Sequence, residues 1–352
     1  MAEGVRDAAP DAVVRAVPVS DGGDSLLEMV RAGMVVEDVR CRVHGPRGAP
    51  TDATFCYLQT TRTAIIETAQ AAGLVLLSPA DRDPTQTTTY GVGDLVRAAL
   101  EHGARRILLG LGGSATCDGG IGMAAALGVR FLDAQGHELA PTGGALGQIA
   151  RVDVCNRHGM VLDAAIIGLC DVDNPLYGPR GAAHVFAPQK GATPAQVAQL
   201  DAWLRNLAAV LARDLPCDVA TMPGAGAAGG LGAGVCALLG GTLQPGADTL
   251  LDAIAFDDML RDADLVLTAE GHLDAQSLGG KAPIAVARRA RARGVPCIVI
   301  AGKVASDLAP LHAEGVTAAL ALCRPPMSEA DAMRDATALL RAATEQIVRA
   351  AG

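Results

Sequence analysis

The sequence predicts an α/β protein built on a parallel sheet covered by helices, with a second α/β domain inserted into it. Three observations lead there. Short apolar runs rich in Val, Ile and Leu recur at 13–19, 106–111, 265–268, 296–301 and 318–323, each ahead of a Gly-rich or acidic loop and a helix-patterned segment. Such runs suit strands buried on both faces, which is the habit of parallel sheets. Half of the 352 residues are apolar, enough for a large core, and the length suggests two domains. A different texture interrupts the alternation: 37–69 reads as strands joined by turns, with GPRG at Gly45 as one turn, and 129–258 mixes short strands, glycine runs and helices. These stretches predict an inserted domain of 37–79 and 129–258, leaving 1–36, 80–128 and 259–352 to the parallel-sheet domain.

Individual elements follow from local chemistry. A helix over 194–213 begins with proline at its first position after Thr193 as N-cap. A second helix opens at TTTYG, residues 87–91, where a threonine is expected to cap the first turn. The uncharged stretch 219–247 is long enough to cross a bilayer, but its prolines and many glycines argue for a loop followed by a buried helix.

Charge narrows the function. A formal net charge of -9 and a pI near 5.2, with no compensating basic cluster, exclude nucleic acid and membrane surfaces as partners. Residues 1–10 are small and charged with no apolar stretch before a cleavage site, so the expectation is a cytoplasmic protein. The nine cysteines are scattered singly, with no CxxC pair, and read as small buried hydrophobes in a reducing compartment. Monomer and homodimer both remain open.

Candidate chemistry begins with the lysines. Of 29 basic residues only three are lysine, Lys190, Lys281 and Lys303, and each adjoins a glycine. Glycine lets backbone approach a ligand closely, and lysine brings a compact ammonium suited to phosphate. Lys303 is set aside as a chance survivor on a loop. The run GLGGSATCDGG from Gly110 follows a strand and precedes an apolar helix, an arrangement that offers N–H groups to an anion. Ser114 and Thr116 add hydroxyl donors, and Asp118 beside such a cradle suggests a bridging Mg²⁺. Acidic loops of the same style follow other apolar runs: SDGGD at Ser20, CDVDNP at Cys170 and EGHLD at Glu270, the last leading into Gly279, Gly280 and Lys281. Their shared position beyond strand ends is where open α/β sheets bind ligands.

GAGAAG from Gly224 also matches GxGxxG, with Asp248 at roughly the spacing of a ribose-binding acid, which would mean an NAD-dependent dehydrogenase. It follows a proline rather than a strand, so this alternative ranks below phosphate chemistry. The segment around Lys281 lacks the first glycine and the Ser/Thr of a Walker A loop.

Taken together, DGGDS at Asp21, TTTYGVGDL at Thr87, GLGGSATCDGGIGM at Gly110, CDVDNPLYGPRGAAHVFAPQKGATP at Cys170, PGAGAAGGLGAG at Pro223 and TAEGHLDAQSLGGKAPIAVARRA at Thr268 resemble the bacterial type I glycerate kinases in order and spacing. The resemblance implies a flavodoxin-like (Rossmann-like) domain with a large insert, and transfer of phosphate from ATP to D-glycerate, with 2-phosphoglycerate the favoured product. By that resemblance Asp21, Asp118, Asp171, Asn174, Lys190, Glu270, Asp274 and Lys281 fall on motif positions. The expected roles are Asp118, Glu270 and Asp21 toward Mg²⁺; Gly112, Gly113, Ser114, Thr116, Thr88 and Asn174 toward the nucleotide; Lys190 and Lys281 toward phosphate; and Asp171 or Asp274 as acceptor of the glycerate hydroxyl proton. Cys117 stands where the family usually has Asn, and Asp173 where it has Thr. The family pattern also opens with an apolar strand and a PDSFKG-like loop, whereas this sequence begins inside the helix that follows. That difference implies one sheet strand and one site lysine fewer, and a catalytically inactive metabolite-binding form is its corollary.

Overall fold

The computed structural model describes residues 1–17, 19–20, 26–274, 282–324 and 326–351. Asp21 and Lys281 lie outside the described residues. The chain divides into two compact units, one of 20–246 and one of 1–19 with 247–352.

The larger unit is built on a six-stranded mixed sheet. Its strands are β1 (Glu37–His44), β2 (Pro50–Leu58), β3 (Thr63–Glu67), β4 (Arg106–Gly110), β7 (Ala165–Leu169) and β8 (Thr242–Gln244), in that spatial order. Between β4 and β7 in sequence, β5 (Arg130–Leu132) and β6 (Arg151–Asp153) form a separate antiparallel pair. β1, β2 and β3 run antiparallel, with the GPRG turn closed by the Gly48 N–H donating to the Gly45 carbonyl at 2.9 Å. β3, β4, β7 and β8 are parallel neighbours. All five residues of β3 and the last four of β4 and β7 are buried, which explains why these strands read as unbroken apolar runs.

Register makes the carboxyl ends of the four parallel strands level. Glu67 faces Gly110, Gly110 faces Leu169, and Leu169 faces Gln244. The loops that follow these residues therefore emerge from one end of the sheet.

Two apolar cores flank this frame. One joins β1–β4 to the helices Tyr90–His102 and Ala227–Leu239; the other gathers Ile121–Ala126, Ala182–Phe186 and Pro194–Asp214. Helix Ala227–Leu239 contributes Leu231 and Val235 to the first core and Ala233 and Ala237 to the second, so it is a buried helix shared between them. Helix Pro194–Asp214 starts with the anticipated cap: the Thr193 hydroxyl accepts from the Gln196 N–H, and the Gln196 side chain returns the bond to the Thr193 N–H.

In the smaller unit, β9 (Val266–Leu273), β10 (Cys297–Val304) and β11 (Val316–Ala321) form a parallel sheet in the order β11-β10-β9. Helix Ala2–Ala8 lies on helix Ala336–Ala351, where Arg341 pairs with Glu3 at 3.1 Å and Asp7 at 2.6 Å. A Cβ on Gly4 would sit 2.3 Å from the Arg341 carbonyl oxygen, so only glycine allows this helix contact.

Three expectations are corrected. Residues 13–17 form no strand: Val13 is 88% exposed, and the described sheet of this unit runs only from β9 to β11. An apolar run without a neighbouring ladder gains neither pairing nor burial. The domain boundaries also differ. β4, assigned from sequence to the parallel-sheet domain, pairs with β3 and β7, both assigned to the insert, and helix Leu26–Gly33 belongs to the larger unit. Finally, the cysteines are all free but not all buried, since Cys155 is exposed.

Candidate functional site

The loop after β4 is hydrogen-bonded to the chain on two sides. The Thr68 N–H donates to the Gly110 carbonyl at 3.0 Å, Leu74 to Gly113 at 2.8 Å, and Ala115 to Ala72 at 2.7 Å, which tie residues 110–115 to the segment after β3. On the other side the Thr87 hydroxyl donates to the Ala115 carbonyl at 3.1 Å. Gly113 adopts φ 70°, so the chain reverses there at a conformation that favours glycine. Gly113 is exposed and Gly112 half-buried, while Ser114, Ala115 and Thr116 are buried. Among the described residues the N–H groups of Gly112, Gly113 and Ser114 have no acceptor in the protein. Consecutive unpaired N–H groups at a glycine turn are an anion-binding arrangement.

Lys190 lies beneath this turn at 2% exposure. Its Nζ donates to Ser114 Oγ at 2.8 Å and to the Thr116 carbonyl at 2.6 Å. Burial lowers its pKa to about 8, with the nearby Cys117 and Asp118 opposing that shift. The sequence places Lys190 at the end of a short turn, Pro188–Lys190, followed by Gly191 at φ 93°. A side chain on Gly191 would meet the Arg82 carbonyl at 2.3 Å, so this glycine secures the approach of the lysine.

Asp118 is placed differently from its expected role. It is fully buried, and its two oxygens accept four hydrogen bonds: Oδ2 from the Thr89 N–H (2.7 Å), the Thr89 hydroxyl (2.8 Å) and the Gly122 N–H (3.2 Å), and Oδ1 from the Gly120 N–H (3.1 Å). Desolvation raises its pKa, against the lowering effect of those bonds. A carboxylate so enclosed does not fit a metal ligand. The same bonds alter two further expectations. Thr89 holds the N-cap position of Tyr90–His102, yet its side chain serves Asp118 and accepts from the Met123 N–H at 2.9 Å instead of capping its own helix. The first N–H groups of helix Ile121–Ala126 are likewise spent on Asp118 and Thr89, so the unpaired N–H groups are those of the glycine turn and not of that helix end.

Beside this loop, at the end of β7, Asp171 Oδ1 accepts the Gly246 N–H at 3.0 Å, joining the ends of β7 and β8. Asn174 donates from Nδ2 to the Arg180 carbonyl at 2.7 Å, and Asp173 pairs with Arg180 at 2.8 Å on the surface. Thr88 is buried, with its hydroxyl accepting the Tyr90 N–H at 3.1 Å. Glu67, overlooked in the sequence, is buried at the level end of β3 and accepts from Gln70 at 3.3 Å. Its signal was a carboxylate closing an apolar run.

In the smaller unit, Glu270 is half-buried near the end of β9 and accepts the Gly271 N–H at 2.9 Å. Asp274 follows the same strand, 3.9 Å from His272. Lys303, on β10 in register with His272, pairs with Glu329. Among the described residues no three His, Cys, Asp or Glu side chains gather as a metal site.

The GxGxxG stretch has a structural explanation. A Cβ on Gly226 would lie 2.3 Å from the Pro175 carbonyl, and one on Gly229, at φ 71°, would lie 2.0 Å from the Thr116 carbonyl. The glycines admit this chain's own backbone, no strand precedes them, and Asp248 pairs with Arg289 at 3.3 Å. None of the context of a dinucleotide fingerprint is present.

The sequence matches the glycerate kinase family over residues 1–352. It is 41% identical to the glycerate kinase of Halalkalibacterium halodurans over 345 residues, 98% of this chain and 91% of that protein. With the glycerate 2-kinase of Escherichia coli K12 it shares 41% identity over 316 residues, 90% of this chain and 83% of that one. The crystal structure of a protein assigned as glycerate kinase 2 from Salmonella typhimurium LT2 superposes with a TM-score of 0.83 at 39% identity, covering 99% of this chain and 91% of the other. Among the described residues no helix is long and apolar enough to cross a membrane. The chain is an α/β phosphotransferase that belongs to the glycerate kinase family.

Proposed function

We propose that the protein transfers the γ-phosphoryl group of ATP to D-glycerate, giving 2-phosphoglycerate and ADP. The observation that carries this reading is the glycine turn at Gly112, Gly113 and Ser114, with its unpaired N–H groups, set over buried Lys190 at the carboxyl end of β4. Phosphoryl transfer asks the protein mainly for positioning and charge stabilisation, and a pre-formed set of donors supplies both.

In this account the turn holds phosphoryl oxygens, Thr116 and Lys190 hold the turn, and Thr88 and Asn174 shape the neighbouring loops. Lys281 adds a phosphate contact. Asp171 or Asp274 accepts the proton leaving the glycerate hydroxyl as that oxygen bonds to phosphorus. Of the acids assigned to Mg²⁺, Glu270 fits as a half-buried carboxylate in the carboxyl-terminal half of β9, Asp21 remains assigned on its motif, and Asp118 is withdrawn. The chemistry the ion supplies is neutralisation of charge on the phosphoryl oxygens.

The test is the initial rate of ADP release with ATP and Mg²⁺ and, in turn, D-glycerate, L-glycerate, glycerol or no acceptor. The reading requires the rate with D-glycerate to exceed the others by at least about tenfold, a low threshold for a site built to hydrogen-bond a substrate hydroxyl, where discrimination reaches about 10⁴. Equal rates with and without acceptor refute it.

A further inference from the structure

Lys190 was assigned to phosphate, yet both of its observed hydrogen bonds go to the loop above it. An ammonium has three donors and no acceptor, so in the bond to Ser114 the serine oxygen must be the acceptor. That leaves the serine proton to donate elsewhere. Among the described residues the Ser114 hydroxyl has no acceptor of its own. Ser114 is buried at 7% exposure beside exposed Gly113, and its N–H is one of the three unpaired groups of the turn. Thr116, whose carbonyl takes the other Lys190 bond, carries a fully buried hydroxyl without a partner.

We infer that Lys190 is a positioning residue: by occupying an oxygen lone pair of Ser114 it fixes the serine O–H as an outward donor, and the Ser114 proton, not the lysine ammonium, contacts a phosphoryl oxygen of the bound nucleotide. The ammonium also polarises that hydroxyl, since a hydrogen-bond chain starting from a charged donor strengthens each later bond. The second bond, to the Thr116 carbonyl, keeps the turn from opening. This inference rests on the phosphoryl-transfer reading and refines which groups of that site touch the substrate.

The experiment is a double-mutant cycle on the full chain with Ser114→Ala, Lys190→Met and both together. It is read as kcat/KM for ATP per folded molecule and as ATP affinity by calorimetry without glycerate. Each single change is expected to lower kcat/KM by roughly 10–100-fold, the loss typical of one hydrogen bond to a charged group. The double variant is expected to fall within about threefold of the worse single one, because both remove one pathway. A lysine that merely stabilises the fold would lower the melting temperature without coupling to Ser114. Should Lys190→Met not fold, Ser114→Ala beside Ser114→Thr, which keeps the hydroxyl, reads the donor directly. Losses that multiply in the double variant, or a Ser114→Ala enzyme equal to wild type, overturn the inference while wild-type turnover leaves the family reading standing. A wild type that neither binds ATP nor turns over overturns both.

Discussion

Thr89 reaches Asp118 twice on the same oxygen, from its backbone N–H at 2.7 Å and from its hydroxyl at 2.8 Å. The same hydroxyl accepts the Met123 N–H, so one threonine and one aspartate join the starts of helices Tyr90–His102 and Ile121–Ala126. The glycine turn is thus held at its distal end by a buried carboxylate and from beneath by a buried ammonium.

Asp118→Asn tests this clamp. An amide would turn a donor toward N–H and O–H groups that already donate, leaving buried donors unpaired. The expected loss is roughly 2–3 kcal/mol of unfolding free energy by denaturant titration. Thr89→Val should lose about 1–2 kcal/mol, since it removes one bond to Asp118 and the acceptor of Met123. An Asp118→Asn protein of wild-type stability with an altered Mg²⁺ requirement would restore the metal role.

Glu270→Gln should instead raise the Mg²⁺ concentration needed for half-maximal rate by about 10-fold or more, with little change in stability. Titration of activity against Mg²⁺ reads this, and an unchanged requirement removes Glu270 from the metal site.

Gly229→Ala should destabilise by about 2–4 kcal/mol, through both its positive φ and the collision with the Thr116 carbonyl. Gly159→Ala, exposed with open space around its Cβ position, should stay within about 0.5 kcal/mol and serves as the control. Comparable melting temperatures for the two variants would contradict the packing account of the glycine stretch.

Lys190 also predicts a pH signature. Burial holds its folded-state pKa at about 8, below the ordinary 10.5 of the unfolded chain. Between those values the unfolded state binds more protons, so this group makes stability rise as pH increases through that window. The buried thiols of Cys56, Cys117 and Cys297, pushed up to about 12 by desolvation, act in the opposite sense above pH 9. The difference in unfolding free energy between wild type and Lys190→Met isolates the lysine. It should be flat below pH 8 and grow in favour of wild type toward pH 10.5, and a flat difference throughout would show that the lysine titrates normally.

Local order was readable where it depended on local chemistry. The apolar run ending at Leu111 gave β4, and Thr193 followed by Pro194 gave the long helix, because burial on both faces and an N-cap before proline leave their marks within a few residues. Val13 and its neighbours misled because an apolar run forms a strand only beside another, and pairing is not a local property. The burial and partners of Asp118 and Lys190 were hidden for the same reason. Their partners lie 29 and 76 residues away in sequence, and only burial decides whether a carboxylate beside a glycine loop faces a ligand or the interior. The motif order carried the family; it did not carry which side chains touch substrate.

The most direct measurement is ³¹P NMR of a reaction of the protein with D-glycerate, ATP and Mg²⁺. The account predicts that the ATP signals give way to ADP and a single phosphomonoester resonance coupled to one proton, as in 2-phosphoglycerate. A phosphomonoester coupled to two protons would move the transfer to the 3-hydroxyl, and inorganic phosphate alone would contradict the assignment of glycerate as acceptor.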